Sequence, residues 1–175
     1  MRLTISGPPG SGKTTVCRLL AESAGIEMHV FGHVFRQLAE EKGLSLAELG
    51  ALAEADPSID EMIDARLVET ARERGDVVLE SRLAAHMLTR AGIPAFRIYL
   101  DAPVAVRAER IGRREGESAD QACEAMLARA ASEAARYRKY YGIDIEDLSV
   151  YDLIIDTGPL CPEEIVERIR QEAGL

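Results

Sequence analysis

The chain has 175 residues, 47% apolar and 29% charged, enough for one domain that folds on its own core without disulfides or a structural metal. Thirty acidic residues against 21 basic ones give a net charge of −9, which argues against a nucleic-acid coat or a binder of anionic membranes. No apolar run approaches a membrane span, and the chain enters strand-like sequence directly from Met1, so a soluble cytoplasmic protein without a leader is expected.

In chain order, residues 2–6 read as a short strand, and Val16, Leu19, Leu20 and Ala24 mark a helix over 13–24 stopped by Gly25. A second strand over 26–31 is followed by a helix from about 33 to 42. Ser45-Leu-Ala-Glu48 and Ser58-Ile-Asp-Glu61 both have the capping-box pattern and open helices, to about Ala55 and to Arg74. Gly75 reads as the terminator of the second. Val77–Ser81 reads as a buried parallel strand, with a short helix at 83–90 after it. A fourth strand spans 96–100, and Pro103 opens a helix to about Arg114. Ser118-Ala-Asp-Gln121 caps a long helix to about Tyr141, a fifth strand spans 151–155, and Pro162 opens the last helix. Strands alternating with helices predict an α/β fold, a five-stranded mainly parallel sheet flanked by helices. The long excursions at 32–76 and 102–150 are where a substrate site is expected.

Gly7-Pro8-Pro9-Gly10-Ser11-Gly12-Lys13-Thr14 matches G-x-x-x-x-G-K-[ST] in full, between a strand and a helix. The glycines let backbone N–H groups converge on phosphate oxygens, and the following helix aims its positive end at them. In that pattern Lys13 reaches the β and γ phosphates of a nucleotide, Thr14 ligates Mg²⁺, and Thr15 continues the loop's contacts. Glu80, closing an apolar strand, is the candidate acidic partner of Mg²⁺. The chain contains no Asn, which removes the Asn-Lys-x-Asp signature of switch GTPases, and it is short for a nucleic-acid motor.

Eighteen of the 21 basic residues are Arg. Arg36 and Arg82 follow strands; Arg110, Arg113 and Arg114 share one helix and its end; Arg129 and Arg136 lie seven apart on one helical face. Phosphoryl transfer needs fixed cations around two anionic substrates. Arg90, Arg107 and Arg138 read instead as partners of acids on solvated faces. His29 and His33 lack a metal-site pattern, and His86 reads as structural or exposed. Tyr137, Tyr140 and Tyr141 read as packing groups and Cys17 as core. The three cysteines, 17, 123 and 161, are spaced as free thiols.

The phosphate loop, Gly32-x-x-Phe35-Arg36, Leu79-Glu-Ser-Arg-Leu83 and Arg136-Tyr-x-x-Tyr-Tyr-Gly-Ile-Asp144 together resemble the short archaeal-type cytidylate kinases, a branch of the P-loop nucleoside monophosphate kinase superfamily. The resemblance runs through Thr157. It implies transfer of phosphate from ATP to CMP or dCMP with Mg²⁺. It implies a core of 1–31, 77–111 and 120–175, a monophosphate-binding insertion near 32–76 and a lid near 112–119. It further implies that Arg36, Arg82, Arg129 and Arg136 bind the acceptor, that Arg110 and Arg114 serve the ATP and lid side, and that Lys13, Arg82, Arg110, Arg129 and Arg136 act on the transferred group. His33 and Ser81 depart from the family pattern, where Asp and Gly are common. AMP as acceptor, another small-molecule kinase, and a nucleotide-binding regulator without transferase activity are the alternatives. No nucleic-acid or membrane partner is expected, and no apolar stripe demands a second subunit, so a monomer is expected.

Split by segment, the charge is +2 over 1–36, −7 over 37–76, +3 over 77–140 and −7 over 141–175. The segments with the phosphate loop and most of these arginines are thus basic, and distant acidic charge is screened over a Debye length of ~8 Å.

Overall fold

A computed structural model describes residues 1–175. Its strands are β1 (Arg2–Ser6), β2 (Glu27–Val30), β3 (Val77–Glu80), β4 (Phe96–Asp101) and β5 (Leu153–Asp156). They form one sheet in the order β2-β3-β1-β4-β5, with every pair parallel. The helices are α1 (Lys13–Ala24), α2 (Phe31–Lys42), α3 (Leu46–Ala55), α4 (Ser58–Glu73), α5 (Ala84–Arg90), α6 (Val104–Glu115), α7 (Ala119–Tyr141) and α8 (Pro162–Ala173).

β1 and β3 are covered on both faces, which is why they read as near-continuous apolar runs, while β5 alternates buried and exposed residues at the sheet edge. On one face Leu3, Ile5, Val78, Ile98 and Ile155 pack with Val16 and Leu20 of α1 and Ile169 of α8. On the other, Val77 and Leu79 pack with Leu67 of α4, Leu88 of α5 and Tyr137 of α7. A small third cluster, Ala39, Leu49, Ala53 and Ile59, holds α2, α3 and α4 together. The strand order reverses direction about β1, so the crevice beyond its carboxyl end is where such sheets bind ligands.

The expected helix starts hold at Ser45 and Ser118, whose capping boxes are both formed. Ser58 does not form one. Pro57, at φ −64 and ψ −22, already has helical geometry, and Asp56 Oδ1 accepts from the Ser58 N–H at 3.0 Å. The cap function has moved two residues earlier. Phe31 belongs to α2 rather than to β2, and Gly32 lies in that helix's first turn. α4 ends on an extended Arg74, not on a left-handed Gly75.

Gly112 is buried within α6, and a Cβ there would sit 2.8 Å from the Glu117 carbonyl oxygen. It permits the tight corner between α6 and α7. Its surroundings are packed, so a side chain at this position would have to displace backbone. The left-handed residue of the corner is Gly116, at φ 74. No helix is long and apolar enough to cross a membrane.

Candidate active site

The loop between β1 and α1 is shaped by close approach. A Cβ on Gly7 would fall 2.0 Å from the Leu100 carbonyl oxygen, and one on Gly10 would fall 2.7 Å from that of Arg107. Both glycines also have positive φ, 147° and 81°.

Five consecutive loop carbonyls are then tied outward by side chains. Arg82 Nη1 donates to Gly7 O, Lys13 Nζ to Pro8 O at 2.9 Å and Arg107 Nη1 to Pro9 O at 3.3 Å. Arg110 Nη1 reaches Gly10 O at 3.5 Å, and Thr157 Oγ1 donates to Ser11 O at 3.0 Å. The N–H groups of Gly10, Gly12, Lys13, Thr14 and Thr15 donate to no backbone carbonyl. α1 also has no side-chain cap and no acid in its first turn, unlike α3, with its capping box and Glu48. The result is a nest of free donors at a positive helix end, an arrangement that favours an anion.

Arg107 is a correction to the expectation from sequence. It is buried, bonds the Ala102 carbonyl at 2.9 Å as well as Pro9, and braces the loop rather than meeting an acid on a solvated face. Thr157 and Glu133 carried no motif. Thr157 accepts from Arg110 Nη1 at 2.9 Å while donating to the loop.

Burial pushes the Lys13 ammonium down to about 8 even though Glu80 and Glu133 oppose the shift. Thr14 Oγ1 donates to Glu80 Oε2 at 2.8 Å. Glu80 therefore faces Thr14, not Arg82. A hydroxyl and a carboxylate are hard oxygen donors, and the chemistry of this pair fits Mg²⁺. No group of three or more His, Cys, Asp or Glu residues clusters as an all-protein metal cage.

Arg82 Nε bonds Glu133 Oε2 at 2.6 Å, and Arg129 Nε bonds Glu133 Oε1 at 2.9 Å. Burial disfavours the Glu133 anion, but the two guanidinium charges win and hold its carboxyl at about 2. Arg36 of α2 lies half-exposed, 4.0 Å from Glu115 at the end of α6. Burial, then the charges of Arg114 and Arg129, push the Arg36 pKa down. Arg114 itself pairs with Glu115 at 2.7 Å. A cleft of about 330 Å³ beside the loop is lined by Gly10, Gly12, Thr15, Arg110, Arg114 and Thr157 among others. A hollow of about 390 Å³ between α1 and α8 shares no residue with the loop.

Arg136 is brought elsewhere. Its Nε bonds Asp60 Oδ2 at 2.7 Å, Nη1 bonds Ser132, and the guanidinium lies over Phe35 and Tyr137 at 5.6 and 5.7 Å. At 3% exposure it ties α4 and α2 to α7, and the expectation that it contacts the transferred phosphate is not met by this geometry. The tyrosines pack as expected: Tyr137 is in the core, Tyr140 bonds the Ala53 carbonyl, and Tyr141 bonds Asp64, both at 2.8 Å. His86 stands edge-on to Tyr151, Cys17 is core, and all three cysteines are free.

A family model described as the cytidylate kinase-like family matches residues 2–159. The chain is 51% identical over 166 residues to the cytidylate kinase of Natronomonas pharaonis, covering 94% of this chain and 85% of that one. It is 48% identical over 159 residues to the cytidylate kinase of Methanocaldococcus jannaschii, covering 90% and 89%. The solved shikimate kinase of Bacteroides thetaiotaomicron aligns over 100% of this chain and 99% of its own, with TM-score 0.64 at 17% identity, a likeness of fold alone. The motif set, the parallel sheet with its anion nest, and identity near one half over almost the whole length agree, and the chain belongs to the cytidylate kinase-like family.

Proposed function

We propose that the protein transfers the γ-phosphoryl group of ATP to CMP or dCMP, giving ADP and CDP or dCDP. The observation that carries a two-substrate reading is the pair Arg82 and Arg129, both bonded to the Glu133 carboxylate at 2.6 and 2.9 Å, with Arg82 also donating to the Gly7 carbonyl of the phosphate loop. A protein that only bound nucleotide would need the nest and not this second set of cations. The kinship with cytidylate kinases supports cytosine in the acceptor.

In this reading the free N–H groups of Gly10, Gly12, Lys13, Thr14 and Thr15, with the Lys13 ammonium, hold the β and γ phosphates. The cleft lined by Arg110, Arg114 and Thr157 takes the rest of ATP. Thr14 and Glu80 would hold Mg²⁺, which would supply charge neutralisation on the phosphates. Arg36 and Arg82 grip the acceptor phosphate, and Arg82 and Arg129 meet the charge that spreads over the equatorial oxygens during transfer. The acceptor hydroxyl-equivalent is a phosphate oxygen of the substrate, so no protein nucleophile is needed. Residues 32–76 form the acceptor side and the 112–119 corner the lid. Arg36 and Glu115 already bridge the two, and their approach excludes water as a competing acceptor.

Incubation with Mg-ATP and CMP, followed by chromatographic separation of nucleotides, tests the reaction. CDP and ADP appearing in equal amounts is the expected result. ADP formed without CDP would show hydrolysis and overturn it.

A further inference from the structure

The arginines assigned to the transferred phosphate are long, flexible and mutually repulsive, so something must fix them before substrate arrives. Glu133 is placed to do so. Its side chain is 5% exposed in α7, between Arg82 from the turn after β3 and Arg129 one helical turn earlier. Each carboxylate oxygen takes one Nε–H, Oε2 from Arg82 at 2.6 Å and Oε1 from Arg129 at 2.9 Å. Arg82 is held a second time by the Gly7 carbonyl through Nη1. Arg82 Nη2 and both terminal nitrogens of Arg129 make no hydrogen bond with the protein.

We infer that Glu133 is a positioning residue for phosphoryl transfer: it clamps the Nε edges of Arg82 and Arg129 to one carboxylate, so that their free Nη groups are offered together to one phosphoryl group. The inference rests on the kinase reading above. Three features separate the clamp from an ordinary buried ion pair. The carboxylate is shared between two guanidinium groups, not matched to one. It leaves unpaired donors on both. One of the two arginines is anchored to the phosphate loop itself, so the chain Gly7–Arg82–Glu133–Arg129 sets the second cation relative to the donor site. Preorganised charge of this kind costs no reorganisation at the moment of transfer.

The test is a double-mutant cycle on Glu133→Gln and Arg129→Met, read as kcat and as KM for CMP and ATP. A Gln can accept from only one arginine and turns its amide donors on the other. The expected result is a loss of kcat of roughly 100-fold in Glu133→Gln with both KM values within about threefold. In the Arg129→Met background the same change should cost less than about tenfold, since part of what Glu133 acts through is gone. Glu133→Asp keeps the charge but is one methylene short of spanning both arginines; it should fold and lose about tenfold in kcat. In the wild type, the Nε–H signals of Arg82 and Arg129 should be resolved and slowly exchanging by NMR, and Glu133→Gln should lose at least one. Full kcat in a folded Glu133→Gln protein, or an equal loss in both backgrounds, overturns the clamp. Wild-type protein that makes no CDP overturns the kinase reading instead. In that case the Nε–H signals still decide whether Glu133 holds both side chains.

Discussion

Thr14 Oγ1 donates to Glu80 Oε2 at 2.8 Å, joining the first turn of α1 to the last residue of β3 across 66 positions of sequence. β3 lies beside β1 in register, with Ile5 opposite Glu80, so the sheet itself delivers this carboxylate to the mouth of the phosphate loop. Glu80→Gln keeps the size and an acceptor oxygen but removes the charge. It should lower kcat by roughly 100-fold and raise the Mg²⁺ concentration needed for half-maximal rate. Rate measured against Mg²⁺ concentration checks this; an unchanged Mg²⁺ dependence would remove Glu80 from the metal's surroundings.

Lys13 is held at about 8 by burial, with Arg82 adding to the depression and Glu80 opposing it. A phosphate at Lys13 favours the ammonium and raises that value. Near pH 8 the free enzyme is therefore partly unprotonated at Lys13, and binding ATP takes up a fraction of a proton there. Affinity for ATP should fall as pH rises through 8. Calorimetry at pH 8 in two buffers of different ionisation enthalpy measures the uptake, and Lys13→Met should abolish both the uptake and turnover. Uptake persisting in Lys13→Met would place the proton elsewhere.

Asp64 of α4 is buried, accepts from the Tyr141 hydroxyl at 2.8 Å, and is pushed up to about 7 by burial and by neighbouring Asp60. Its folded value lies above the ordinary 3.8, so the protonated form is the one the fold prefers. The stability it contributes is complete at pH below about 4 and is lost as pH rises through 7. Asp64→Asn should raise the melting temperature at pH 8 and change it little at pH 4. Melting curves at the two pH values decide; equal shifts at both would refute the assignment.

Gly112 sits where a Cβ would meet backbone, the Glu117 carbonyl oxygen at 2.8 Å and that of Ser118 at 3.3 Å. Backbone gives way less readily than a side chain. Gly112→Ala should destabilise the protein by ~1–3 kcal/mol by forcing α6 and α7 apart at their corner. Urea unfolding measures this, and a neutral substitution would mean that the corner is free to hinge there.

The phosphate loop was legible from sequence because its requirements are local: glycines at fixed offsets between a strand and a helix. The same holds for the boxes at Ser45 and Ser118. Ser58 failed because capping depends on the backbone angles of the residue before it, and Pro57 had already turned helical. The bracing of the loop was hidden for a different reason. Arg107 and Thr157 reach Pro9 and Ser11 from 98 and 146 residues away, and no periodicity records such a meeting. Arg136 and Arg129 share a helical face, yet Asp60, 76 residues distant, and Ser132 take up the guanidinium of Arg136, while Glu133 holds Arg129 only by its Nε edge. Sequence told which residues carry charge; the fold decides which charges are already spent.

The most direct test of the account compares acceptors. With Mg-ATP as donor, kcat/KM is measured for CMP, dCMP, UMP, AMP and shikimate by ADP formation. CMP and dCMP should exceed AMP and shikimate by at least about tenfold, a discrimination a few acceptor-pocket hydrogen bonds can supply. ADP formation independent of every acceptor, or AMP preferred over CMP, would contradict it.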